Sequence, residues 1–311
     1  MPTPPTGRTP EHEPSLPRTA WPGLAQYVSS LAEQPVFVPG GPPMTPFAGT
    51  GPLTFFNPAY ALHHARSWDS TFALGPILPL ETAASPESDG ARKLRGSVGE
   101  AVARLAEGPL PVVAQVWGPL TMAAKVAGTE EFLTATRRTA EAFALVDEGL
   151  ERSLLLAGEV LAPRPHVLWI AEPLAAIMDP PSLAALWPDC MRRLVALARG
   201  AGSDPVVHVS GPATHALPAV ATLGVSGMSI TADTPLATAR ELLPPHLVVF
   251  GNLDSMRLID RDAAWLTEAG RSMAAAMRGH AYVATPGSAI PPQTPLENLA
   301  AFVDGVRGRS V

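Results

Sequence analysis

Pro111-Val112-Val113-Ala114-Gln115-Val116-Trp117 runs apolar with one polar interruption and stops at Gly118-Pro119. A short β-branched run without strict polar alternation, bounded by turn residues, is the pattern of a strand covered on both faces, as in a parallel sheet. Seven comparable runs flank it: Pro35 to Val38, Thr71 to Leu78, His166 to Ala171, Pro205 to Val209, Gly227 to Thr231, His246 to Gly251 and Ala281 to Thr285. Between them lie segments of helical period: Pro58 to Trp68, Ala91 to Ala106, Glu130 to Leu161, Ser182 to Gly200, Thr214 to Leu223, Pro235 to Leu243, Ala263 to Arg278 and Pro295 to Arg307. Alternating strands and helices predict βα units. Eight of each predict an α/β fold of the (β/α)8 TIM-barrel kind.

A doubly wound open sheet is the rival. It is disfavoured because Pro39-Gly40-Gly41-Pro42-Pro43 cannot wrap a pyrophosphate at a helix start, its prolines lacking the N–H groups that task needs. Residues 1 to 20 are Pro-rich without apolar periodicity and read as a flexible leader, leaving one barrel domain over 21–311.

The 311 residues are 46% hydrophobic and 16% charged, with 22 basic against 28 acidic side chains. No cluster of lysine or arginine offers a footprint for nucleic acid or an anionic membrane, and no unbroken apolar stretch predicts a membrane span. One cysteine, Cys190, excludes an internal disulfide framework and any Cys-rich zinc module. With no secretory or transit pattern at Met1 to Leu16, a cytoplasmic location is expected.

In such a barrel, chemistry sits where strands end. The polar residues at those ends are Gln115 and Trp117, Glu172, His208 and Ser210, Thr231 and Asp233, Asn252, Asp254 and Ser288. His208 is a candidate general base or metal ligand, against the alternative of a satisfied core histidine. Glu172, after Trp169-Ile170-Ala171, is a candidate acid–base carboxylate, because burial there would raise its pKa. Asp233 and Asp254 compete with helix-capping roles, and Asn252 with a turn role. Trp117 reads as a pocket wall, and Cys190 as a small buried hydrophobe within a helix.

Several of these loops carry a resemblance. Gln115-Val116-Trp117-Gly118-Pro119-Leu120-Thr121, Ile170-Ala171-Glu172-Pro173, Val207-His208-Val209-Ser210-Gly211, Gly251-Asn252-Leu253-Asp254 and Pro286-Gly287-Ser288-Ala289-Ile290-Pro291-Pro292, with Thr294-Pro295-Leu296-Glu297-Asn298, occur in this order. Together they resemble the uroporphyrinogen decarboxylase superfamily, in its branch containing methylcobalamin:coenzyme M methyltransferases. That branch holds zinc with a His-x-Cys pair and a later cysteine. His208 matches the histidine, whereas Ser210 and Ser288 stand at the two cysteine positions, and a neutral hydroxyl is a far weaker zinc ligand than a thiolate. The decarboxylases use an arginine-bearing stretch after the first strand, where this chain reads Val38-Pro39-Gly40-Gly41-Pro42-Pro43.

The resemblance therefore implies a methyltransferase acting on a corrinoid-bound or small-molecule methyl group, with His208 and Glu172 catalytic. Gln115, Trp117, Ser210, Asp233, Asn252 and Ser288 would bind substrate. Three outcomes of the missing thiolates stay open: a divalent metal, zinc or another, held by His208, Glu172 and Asp233; metal-free acid–base chemistry at His208; or an inactive scaffold. The alternatives to methyl transfer are a decarboxylase or lyase, in which His208 would protonate a carbanion and one of the early arginines Arg66, Arg92 and Arg95 would have to face the pocket to bind the carboxylate, and a noncatalytic partner of a corrinoid protein. Uroporphyrinogen itself is disfavoured as a substrate, because its carboxylates call for clustered arginines. The implied partners are a small-molecule substrate, a corrinoid protein and a second copy in a homodimer.

Overall fold

The computed structural model describes residues 21–31, 33–37, 70–287, 290–291 and 293–309. The expected leader, the helix at 58–68, Arg66 and Ser288 lie outside these residues. Seven parallel strands stand side by side in chain order: β1 (Ala73–Leu74), β2 (Val112–Trp117), β3 (Val167–Ala171), β4 (Asp204–Val209), β5 (Gly227–Ile230), β6 (Val248–Asn252) and β7 (Tyr282–Thr285). Of the first of the eight expected runs, the described residues 35–37 form an extended segment with a parallel bridge, Val36 to Ala284, outside the named strands. On one side Phe37 N donates to Ala284 O (2.8 Å) and Ala284 N to Pro35 O (3.0 Å); on the other, Thr71 N donates to Val36 O (2.7 Å). This segment therefore links the two edges of a curled sheet. β1 is shorter than the expected Thr71 to Leu78 because Gly75 N makes the last ladder bond, to Val113 O, and Pro76 has no N–H to continue it.

The helices are α1 (Leu24–Ser30), α2 (Leu80–Ala84), α3 (Asp89–Leu105), α4 (Pro119–Ala127), α5 (Thr129–Ala135), α6 (Thr139–Leu161), α7 (Pro180–Gly200), α8 (Leu217–Val220), α9 (Leu236–Leu242), α10 (Arg257–Asp260), α11 (Ala263–Ala276) and α12 (Leu296–Arg307). α1, α2 and α10 fall in segments where no helix was expected, the expected helix over Thr214 to Leu223 holds only a 3-10 turn (Thr214–Ala216) and α8, and two further differences concern α4 to α6. The single helix expected over Glu130 to Leu161 is split into α5 and α6 by a turn in which Arg138 N bonds Ala135 O and the Thr136 hydroxyl bonds Leu133 O. Residues 119–127, where the sequence pattern marked no helix, are helical: Pro119 takes the first-turn position that tolerates proline, and Pro119 to Ala124 are buried on every side, which removes the amphipathic signature.

Side-chain alternation divides the core in two. Val113, Val167, Trp169, Val206, Val248, Phe250 and Val283 face inward and pack with Phe37 and Phe72. Ala114, Val116, Leu168, Ile170, Val207, Met228, Ile230 and Val249 face outward, against the helices. Helix α1 joins the inner cluster through Leu24 and Val28. It is anchored by Asp204 at the start of β4, which accepts from Leu24 N (2.8 Å) and from the Trp21 indole (2.8 Å), so α1 covers the end of the sheet where the strands begin. The end where the strands finish is the one away from this anchor.

Candidate active site at the strand ends

His208 is the penultimate residue of β4 and shares the inward parity of Val206. Its ring stacks on Trp169 of β3 (centroids 5.5 Å apart, planes at 28°) and is half-buried. Both ring nitrogens are engaged: Nδ1 lies 2.9 Å from Ser229 Oγ on β5, and Nε2 lies 2.8 Å from Ser210 Oγ, just past β4. A neutral imidazole has one N–H and one lone pair, so one serine donates to the ring and the other accepts from it. Loss of solvation pushes the His208 pKa down to about 4, and the ring is neutral at pH 7.

The loop after Ser210 is tied to the next strand end. Gly211 N donates to Thr231 Oγ1 (2.9 Å), and the Thr231 hydroxyl donates to Asp233 Oδ2 (3.0 Å). Gly211 has φ 99°, in the region that favours glycine. Asp233 is exposed at the rim and Asn252 is half-buried, its amide donating to Thr234 O (2.7 Å). On β2, Gln115 donates to Gly75 O (2.7 Å) and the Trp117 indole to Leu78 O (2.7 Å), so both hold the chain that follows β1. Asp254 accepts from Met256 N and pairs with Arg257, a turn-and-cap role.

Glu172 takes a different place from the expected one. It follows Ala171, has the outward parity of Leu168 and Ile170, and is fully buried. Its carboxylate meets the first turn of α4: Oε2 accepts from Leu120 N (3.1 Å), and Oε1 accepts from Thr121 N (2.7 Å) and the Thr121 hydroxyl (2.5 Å). These amides are helix-start donors with no partner inside the helix. Burial pushes the Glu172 pKa up to about 7 against the opposing pull of these bonds. The Trp187 indole of α7 faces the same carboxylate but falls short of hydrogen-bond geometry. Glu172 and His208 are neighbours through the backbone, Glu172 N donating to His208 O (2.8 Å), while their side chains leave opposite faces of the sheet.

The expected metal set of His208, Glu172 and Asp233 is therefore not assembled. Among the described residues, no group of three His, Cys, Asp or Glu side chains can hold a metal ion. The thiolate zinc centre implied by the resemblance does not fit either. Beside His208 stands a neutral hydroxyl, and Cys190 is buried in α7, its thiol bonded to Trp187 O and Leu186 O and its pKa raised by burial. Arg92 and Arg95, the described early arginines, pair with Asp89 and with Glu159 in the helical layer. Two members of the site were absent from the sequence list: Trp169 and Ser229. Ser229 sits two residues before Thr231 on the same strand face, a signal the strand-end criterion overlooked.

Parallel strands in chain order around an apolar interior, with an imidazole and hydroxyls where they end, define an α/β protein of the barrel-enzyme layout. The uroporphyrinogen decarboxylase (URO-D) family profile matches residues 79–309, and the chain belongs to that family. It is 25% identical over 200 residues to a methylcobamide:CoM methyltransferase MtaA of Methanosarcina barkeri (strain Fusaro / DSM 804), covering 62% of this chain and 57% of that protein. It is 26% identical over 226 residues to a uroporphyrinogen decarboxylase of Anaeromyxobacter sp. (strain Fw109-5), covering 70% of this chain and 62% of the relative. The matches thus span little more than half the length of these relatives. A solved methyltransferase from Methanosarcina mazei shares the fold, with a TM-score of 0.75 at 20% identity over 91% of this chain and 96% of that one. No described helix is long and apolar enough to cross a membrane.

Proposed function

We propose that this chain is a methyltransferase-like enzyme of the family, working on a small, largely uncharged molecule at the C-terminal mouth of a closed eight-stranded barrel, without a thiolate zinc centre. The observation that carries the reading is the imidazole of His208, held between Ser210 and Ser229 and backed by Trp169. Methyl transfer needs an acceptor atom with a free lone pair. His208, through Nε2 and the Ser210 hydroxyl, hydrogen-bonds the acceptor and takes its proton as the methyl group arrives. Ser229 and Trp169 fix the ring so that the bond points into the mouth. Gln115, Trp117, Asn252 and Asp233 edge that mouth, and Ser288 belongs there by resemblance. The names of the MtaA relatives support a corrinoid-bound methyl group as donor, and with it a corrinoid protein as partner.

The decarboxylase reading is weaker. It asks His208 to deliver a proton that the ring has first to collect, because desolvation favours its neutral form. A carboxylated substrate also asks for a cation, and the described arginines Arg92 and Arg95 are committed elsewhere.

The test is anaerobic incubation of the purified protein with methylcobalamin and a panel of small alcohols, amines and thiols, following the corrinoid spectrum. The expected result is acceptor-dependent demethylation that falls at least about 100-fold in His208→Ala, the scale of a lost acid–base group, with no stoichiometric metal in the parent. Release of carbon dioxide from carboxylated compounds, with methylcobalamin untouched, would overturn the reading.

A further inference from the structure

Glu172 is a buried carboxylate that the proposed chemistry does not use. Three observations converge on it. Its two oxygens take three hydrogen bonds from the start of α4, all from Leu120 and Thr121. Its backbone N–H bonds His208 O, and the preceding Ala171 O accepts from Gly118 N (2.7 Å). The chain is also shaped around it: a Cβ at Gly118 would lie 2.3 Å from Glu172 Oε2 and 2.6 Å from Cδ. Gly118 directly follows Trp117, whose indole donates to Leu78 O in the chain that follows β1 (2.7 Å).

We propose that Glu172 is a positioning residue, clasping the first turn of α4 from the outer face of the sheet and so fixing Trp117 and the His208 backbone at the mouth. In its ionised form Glu172 suits this task, because a carboxylate only accepts and the groups facing it from α4 are donors that the helix cannot satisfy itself. In that form its charge also lies at the positive end of the α4 dipole. From α7, Trp187 and Cys190 close the remaining side. An amide of the same shape would turn an NH2 group toward one of those donors. The clasp thus couples the helical layer to the site through two peptide units. Its location rests on the reading of the mouth given above, but its effect does not depend on which reaction occurs there.

The experiment uses the full chain labelled with 5-fluorotryptophan, the 19F line of Trp117 being assigned by Trp117→Phe. Glu172→Gln is compared with Val306→Ala, a destabilising substitution in α12 remote from the site. The expected result is a displaced or broadened Trp117 line in Glu172→Gln and an unmoved one in Val306→Ala. Should Glu172→Gln fail to fold, Thr121→Val removes one of the three bonds and is expected to move the same line by less. A second arm crosses Gly118→Ala with Glu172→Ala: a physical clasp makes the double variant recover part of the loss, since the shorter side chain vacates the space the new Cβ needs. A Trp117 line indistinguishable from the parent's in Glu172→Gln or Thr121→Val, or strictly additive losses in the cross, overturns the proposal. None of these readouts needs a substrate, so failure of the methyl-transfer reading leaves them intact.

Discussion

Glu172 and His208 titrate in overlapping ranges with opposite effects on stability, and separating them tests the burial of both. Burial lifts the Glu172 pKa from 4.5 to about 7, so the folded protein holds this proton more tightly than the unfolded chain does. Its contribution is full below pH 4.5 and is lost as pH rises through about 7. A rise of roughly two and a half pH units corresponds to about 3 kcal/mol. His208 moves the other way, from 6.5 down to about 4, so folding opposes its charging. That contribution is full above pH 6.5 and is lost as pH falls toward about 4. The same arithmetic, reduced because the ring is half-buried, gives roughly 2 kcal/mol. Between pH 4.5 and 6.5 the two slopes oppose each other in the parent. Glu172→Gln should leave stability that rises with pH across this window, and His208→Gln stability that falls. Urea unfolding at half-unit pH intervals reads both slopes, and the pH-independent cost of each substitution drops out as a vertical offset. Parallel profiles for parent and both variants would refute the assigned burial.

Gly305→Ala should cost about 2–3 kcal/mol, because the new Cβ would lie 2.1 Å from Thr267 O across the α11–α12 contact and backbone must move; a melting temperature equal to the parent's would contradict that packing. Gly158→Ala in α6, where nothing lies within 4 Å, should instead raise stability by up to about 1 kcal/mol in the same melt. Asp204→Ala removes the anchor of Trp21 and Leu24 N and should cost about 2 kcal/mol. Hydrogen exchange should show Leu24–Ser30 losing protection while β3 to β6 keep theirs.

The runs at 111–117, 166–171, 205–209, 227–231, 246–251 and 281–285 were legible as strands because burial on both faces demands continuous apolar chain, a property of composition alone. The strand-end position of His208 and Ser210 was legible because a polar pair ending such a run has few places to go except the open end of the sheet. Helix α4 was not, since a helix buried all round carries no amphipathic period, and the split between α5 and α6 turns on local bonds at Thr136 and Arg138 that no pattern of hydrophobicity records. Ser229 and Trp169 became visible only when neighbouring strands were set in register.

What the sequence alone determined is the alternation of strand and helix and the set of polar residues at the strand ends, because both follow from residue type and spacing along one chain. What tertiary structure decided is the face on which each of those residues acts. A single residue of register separates His208, turned into the mouth against Ser210 and Ser229, from Glu172, turned outward to the first turn of α4. Side chains on a strand alternate across the sheet, so the partner of a strand-end residue depends on which helix or strand packs against its own side.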